Sequence, residues 1–179
     1  MILPALLAVI LGQAVPEWPA KPASSWVQGG PLTLAGLRGK VVLIRFFMDA
    51  DCPYCRATAP SLNEFHDAFA ASGLVVIGMY TPKPRPRAVS LDEVRGYVKT
   101  YGFAFPVSVD ADWSALRRLW LEPVPNAPFT SATLLIDRRG ILRHVQKGGV
   151  YAKDASDPRA RQDYQDMREA IVALLAEPP

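Results

Sequence analysis

The sequence predicts an α/β domain built on a central mixed β-sheet flanked by helices. Three observations predict it. An apolar run at residues 41–47, an amphipathic helix from Pro53 and a second apolar run at 74–80 form a β-α-β unit, which calls for parallel strands. Residues 130–137 and 141–146, joined across Arg138-Arg139-Gly140, read as a hairpin and add antiparallel strands. The length of 179 residues suits one domain with a real hydrophobic core.

The elements follow in order. Residues 1–11 are apolar and uncharged, and Gly12-Gln13-Ala14 puts small residues where a cleavage after Ala14 would need them. Residues 1–14 therefore read as a secretory signal, or as an N-terminal anchor because the segment lacks Lys and Arg at its start. Residues 15–25, rich in Pro, Ala and Trp, read as a linker or extended arm, and the domain proper as 26–179. Residues 26–37, with a turn at Gly29-Gly30-Pro31, are expected to form a short hairpin. Val41 to Phe47 is a continuous β-branched and aromatic run, the pattern of a strand buried on both faces. The helix from Pro53 groups Leu62, Phe65 and Phe69 on one side and stops at Gly73.

A proline-punctuated loop covers residues 81–88. Ser90 and Glu93 make a capping box for a helix running to Tyr101. Residues 105–109 read as a short strand, and Asp112 as the cap of a short helix ending at Trp120. After the hairpin comes a polar insertion at 148–163, and a closing amphipathic helix spans 160–176. The net charge of +3 is too small and too scattered to argue for nucleic acid; the one basic cluster is Lys83 to Arg87. Trp26, Trp113 and Trp120 read as structural anchors, and His66 as a solvated helix residue.

The only two cysteines, Cys52 and Cys55, sit three positions apart at the start of the first helix, directly after the first central strand. Two thiols across a helix's first turn close and reopen a small disulfide without moving the fold. The helix N-terminus stabilises the anionic sulfur that exchange requires. Pro53 fits a first-turn position, where no intrahelical donor is lost. A zinc site would have to recruit both His66 and His144 to the two sulfurs.

Strand, Cys52-Pro53-Tyr54-Cys55, helix and Pro60 five residues past the second cysteine resemble the thioredoxin superfamily. Pro31-Leu32-Thr33-Leu34, Leu37-Arg38-Gly39-Lys40-Val41-Val42, Leu74-Val75-Val76-Ile77-Gly78 and Phe105-Pro106-Val107 extend the match. With Leu134-Leu135-Ile136-Asp137-Arg138-Arg139-Gly140-Ile141-Leu142-Arg143 it narrows to the exported TlpA-type thiol:disulfide reductases, over residues 26–150. The resemblance implies a thioredoxin-like fold and exchange with protein thiols and disulfides in the periplasm, in the reductive direction. A membrane electron donor would reset the pair, and no cofactor is called for. Cys52 would be the more exposed, attacking thiol and Cys55 the resolving one. Pro53, Tyr54, Thr130 and Ser131 would border the substrate groove.

Three departures from the family pattern are visible. Ser131 stands at the family's cis-proline position, with the nearest proline at Pro128, and its peptide is expected to be trans. Arg45 stands where many thioredoxins bury an aspartate, leaving Glu93 or Asp92 as substitute acids. Asp49 and Asp51 precede the first cysteine; a carboxylate about 6 Å from a sulfur raises its pKa by roughly 0.5–2 units, against under one unit from the helix end. The competing class is a copper carrier that adds His144 to the two sulfurs, although such proteins carry C-x-x-x-C and a histidine ahead of the hairpin strand. A peroxidase would call for threonine at position 49, where this chain has aspartate.

Overall fold

In the computed structural model, residues 10–127 and 129–178 are described. Six strands form one sheet: β1 (Trp26–Gln28), β2 (Val41–Phe47), β3 (Leu74–Tyr80), β4 (Val107–Val109), β5 (Thr133–Ile136) and β6 (Leu142–Gln146). Their spatial order is β1-β4-β3-β2-β5-β6. β2 and β3 run parallel in register from Val41 opposite Leu74 to Phe47 opposite Tyr80, and β3 and β4 are also parallel. β5 runs antiparallel to β2 and β6 antiparallel to β5, so the sheet is mixed, as the hairpin implied.

The two-residue period of β2 sorts its side chains between two cores. Val41, Leu43 and Phe47 face the layer made by α1 (Pro53–Phe69), α2 (Leu91–Tyr101) and α4 (Pro158–Ala176). Leu62 and Phe65 of α1, Val94 of α2 and Met167 and Ile171 of α4 complete that layer, and both cysteines lie within it. Val42, Ile44 and Phe46 face the opposite core with Trp18, Leu116 and Trp120. Gly78 of β3 lies beside β2, and a Cβ there would stand 3.0 Å from the Phe47 ring and 3.4 Å from Phe105. Its bare backbone leaves the room in which Phe47 packs edge-on against Tyr80, Tyr101 and Phe103.

Helix ends follow the expected chemistry with one exception. Glu93 N–H donates to Ser90 Oγ at 3.1 Å, the first half of the capping box, and Gly73 takes φ +104° where the first helical segment stops. The exception is the short helix α3 (Ser114–Leu116), which continues into a wider turn at Arg117–Leu121. Asp112 accepts from Ser114 N–H, but the fully buried Asp110 is the main cap, accepting from Ala115 and Leu116 N–H at 2.9 Å each. Trp113 at φ +62° turns the chain between these aspartates and the helix.

The N-terminal region differs from expectation. Residues 26–37 form no hairpin of their own: β1 pairs with β4, opposite Ser108 and Val107. Residues 15–25 lie along the domain instead of linking to it. Val15 and Trp18 are buried, Glu17 accepts from Leu34 and Ala35 N–H, and Lys21 forms a buried 2.6 Å ion pair with Asp110. Most of the expected leader, residues 1–9, lies outside the described residues, but Gly12, Gln13 and Val15 hydrogen-bond through their backbones to Gly140 and Leu142. If this arm is part of the folded unit, Trp18→Ala lowers the unfolding free energy by about 3–5 kcal/mol, as for other buried aromatics. Urea denaturation reads this; a midpoint equal to wild type would mark the segment as a detachable linker.

Candidate redox site

The seven residues of β2 deliver the chain to a short loop, and α1 begins directly after Cys52. Cys52 is the N-cap of α1 in extended conformation, and its sulfur accepts from Cys55 N–H at 3.3 Å. The thiol thus occupies the place of the usual serine or aspartate cap, pointing at free helix donors. Cys52 N–H donates to the Asp49 carbonyl at 3.0 Å, and the Tyr101 hydroxyl donates to the same carbonyl at 2.6 Å, fixing the loop between strand and helix. Pro53 opens the helix and Tyr54 is exposed. Both cysteines are free thiols, 7% and 4% exposed, so Cys52 is only marginally the more open.

Burial pushes the Cys55 thiol up to about 11, with the Arg45 guanidinium pulling the other way and the Cys52 hydrogen bond adding to the rise. Arg45 is itself buried, at 1% exposure, and donates to Thr133 Oγ1 at 3.1 Å. A second cation, Lys83, lies with its Nζ 4.5 Å from the Trp113 ring centroid and without a hydrogen-bond partner. Burial lowers Lys83 to about 8, opposed by the charges of Cys55, Asp110 and Cys52.

Of the two acids preceding Cys52, one is engaged by other side chains. Asp49 accepts from the Tyr80 hydroxyl and lies 4.0 Å from Arg87, while Asp51 is exposed. Burial, followed by this bond to Asp49, raises the Tyr80 phenol. Of the substitute acids, Glu93 pairs with Arg87 at 2.8 Å and Asp92 with Arg95, so both serve the surface of α2. The basic cluster is largely spent as well, with Lys83 folded onto Trp113 and Arg87 paired, leaving Arg85 free in solvent.

Thr130 and Ser131 lead into β5, whose Thr133 lies opposite Arg45 at the cysteine end of β2. The Thr130–Ser131 peptide is trans; cis bonds among the described residues precede Pro31 and Pro84, and Pro128 lies outside them. His144 pairs across from Leu135 and lines a cleft with Phe129, Asp163 and Asp166. No group of three His, Cys, Asp or Glu among the described residues is placed to hold a metal ion, so His144 does not complete a site with the sulfurs. His66, expected in solvent, is half-buried with its ring edge-on to Phe105. Sequence reasoning missed Lys83 and Tyr151, the latter fully buried in the insertion with its hydroxyl 3.1 Å from Thr133 Oγ1. A lone tyrosine in a polar stretch was the one signal for it.

A mixed sheet with a dithiol capping the helix after its central strand defines a thioredoxin-fold redoxin. The chain belongs to the AhpC/TSA family, whose profile matches residues 11–145. Protein DipZ of Mycobacterium bovis is 34% identical over 146 residues, 79% of this chain but 19% of its own length. Thiol-disulfide oxidoreductase ResA of Halalkalibacterium halodurans is 24% identical over 69% of this chain and 63% of its own. Thiol-disulfide oxidoreductase YkuV of Bacillus subtilis is 28% identical over 78% of this chain and 86% of its own. The chain thus spans about a fifth of DipZ and under two thirds of ResA. Among solved structures, a thiol-disulfide isomerase from Corynebacterium glutamicum superposes with a TM-score of 0.68 at 24% identity, covering 93% of this chain and 98% of that one. A putative DsbE from Chlorobium tepidum gives 0.67 at 21% identity over the same shares. At these identities both speak to the fold.

Lys83 gives the site a pH signature. Between pH 8 and 10.5 an unfolded lysine binds more protons than the folded one, so its burial penalty fades and stability rises with pH. Cys55 acts oppositely as its unfolded thiol ionises around pH 9 while the folded one stays protonated, an effect that is smaller than that of Lys83 below pH 9 and grows above it. From pH 8 to 9 the reduced protein is therefore expected to gain stability, and Lys83→Met to lose that gain. Equal slopes of urea midpoint against pH in the two proteins would contradict the assignment.

Proposed function

We propose that the protein is a thiol:disulfide oxidoreductase that reduces protein disulfides outside the cytoplasm. The observation that carries this is the capping geometry: the Cys52 sulfur sits at the helix terminus, 3.3 Å from the Cys55 amide, with the second thiol one turn deeper. Cys52 as thiolate attacks a substrate disulfide and forms a mixed disulfide, releasing one substrate thiolate. Cys55 then attacks Cys52, frees the second substrate thiolate and leaves Cys52–Cys55 oxidised. The substrate has gained two electrons, and a membrane electron donor returns them to the pair. The exposed Tyr54, with Thr130 and Ser131, borders the groove in which the substrate lies. The printed names of ResA and YkuV support exchange, and the elevated Cys55 thiol supports a resolving role, since it stays protonated until called upon.

Export rests on the apolar residues 1–11. The pairing of Gly12 and Gln13 with Leu142 favours retention of this segment as an N-terminal anchor over cleavage after Ala14, which would remove those bonds. The mass of the mature chain, with or without residues 1–14, decides between the two. Among the described residues no helix is long and apolar enough to cross a membrane.

The exchange order is tested by trapping. Cys55→Ser expressed in cells accumulates disulfide-linked adducts that dithiothreitol releases, because the attacking thiol remains and the resolving one is gone. Cys52→Ser yields none. Adducts on Cys52→Ser alone would reverse the assignment of the two thiols.

A further inference from the structure

Arg45 is the least economical residue in the core. Its position in β2 is that of Leu43 and Phe47, so strand alternation directs it to the face covered by the cysteine-bearing helix. It is 1% exposed, and its Nη2 has no hydrogen-bond partner. Nη1 donates to Thr133 Oγ1, which in turn lies 3.1 Å from the Tyr151 hydroxyl. The guanidinium carbon stands 5.7 Å from the Tyr151 ring centroid. Among the described residues no carboxylate lies within ion-pair distance, so this is a buried cation without a counter-ion. Such an arrangement weakens a fold, and a methionine or leucine would fill the space at no electrostatic cost.

The ionisable groups around it are few. Tyr151 comes from the insertion, its phenol raised by burial and thus neutral. Cys55 and Cys52 come from the start of α1, and Lys83, from the loop after β3, senses the charge of both. Of these groups Cys55 acquires negative charge during exchange in the buried layer; the strongest influence opposing its burial is Arg45, and Lys83 also senses its charge.

We propose that Arg45 is a positioning residue for the second step of exchange, the built-in counter-charge for the Cys55 thiolate as it attacks Cys52. This rests on the exchange reading above. In that step the Cys55 proton leaves to solvent, a Cys55–Cys52 sulfur bond forms, and the Cys52–substrate bond breaks. The electron pair departs with the substrate thiolate. Where thioredoxins bury an acid that moves this proton, here a fixed cation holds the resulting anion.

The test uses the full chain, reduced, in single turnover with dithiobis(nitrobenzoate). The first nitrothiobenzoate is released in a phase proportional to reagent, as Cys52 forms the mixed disulfide. The second is released in a reagent-independent phase, as Cys55 resolves it. Each unit by which the Cys55 pKa rises removes tenfold of its thiolate and returns part as nucleophilicity, a net loss of about threefold. Arg45→Met is therefore expected to slow the second phase at least about threefold more than the first at pH 7 and to displace its pH profile upward by about a unit. Arg45→Lys recovers most of the rate. Arg45→Met also unfolds at no lower urea than wild type, whereas a merely structural arginine would cost stability and leave the profile in place. Should Arg45→Met fail to fold, Arg45→Gln, which keeps a polar donor for Thr133 but carries no charge, carries the test with the same direction of effect. An unchanged second phase and profile in the folded variant overturns the proposal alone. A wild-type protein that never releases the second nitrothiobenzoate overturns the exchange reading beneath it.

Discussion

The structure depends on the pairing of β2 with β3 on one side and β5 on the other. Seven residues of β2 are buried without interruption, and every one is registered against β3. That register sets Arg45 beside Gly78 and opposite Thr133, and carries Phe47 to the sheet end where the loop to Cys52 begins. A slip of one residue would turn Arg45 and Phe47 into the other core and send Phe46 toward the cysteines. The sulfur positions are therefore inherited from a strand that touches no solvent, which is how a short reactive loop keeps a fixed geometry.

On that frame the two thiols receive unlike surroundings. Cys52 is held at a helix terminus, against the Cys55 amide. Cys55, one turn further in, is desolvated and pushed up to about 11. Two cations lie near the pair, Arg45 and Lys83, while Asp49 is held by Tyr80 and Arg87 and Asp51 is exposed. These unlike surroundings suit the proposed order, in which one thiol attacks and the other resolves.

The parts legible in the sequence were those with a strong local signal. The apolar run of β2, the periodic helix from Pro53, Gly73 as its stop and the Ser90 cap of α2 each express their physics within a few residues. The cysteine pair was equally plain, because helix and strand on either side place it. What stayed hidden is non-local. β1 is three residues long and exists through its pairing with β4. Trp18 and Lys21 belong to a stretch without period, docked by a burial and an ion pair to residues far along the chain. Asp112 satisfied the local capping rule, yet the buried Asp110 takes the main role. The engagement of Asp49 was hidden for the same reason, since its partners, Tyr80 and Arg87, are supplied by tertiary structure. Arg45 was visible as an oddity of position, but its isolation from any carboxylate is a property of the packed core.

All of this presupposes that Cys52 and Cys55 interconvert between dithiol and disulfide in the folded protein. Equilibration in buffers of graded reduced and oxidised dithiothreitol, with thiols counted by mass shift after alkylation, measures that directly. One cooperative two-electron transition is expected, the same in both directions and lost when either cysteine becomes serine. Two thiols that remain reduced in the most oxidising buffer, or that oxidise only between molecules, would contradict it.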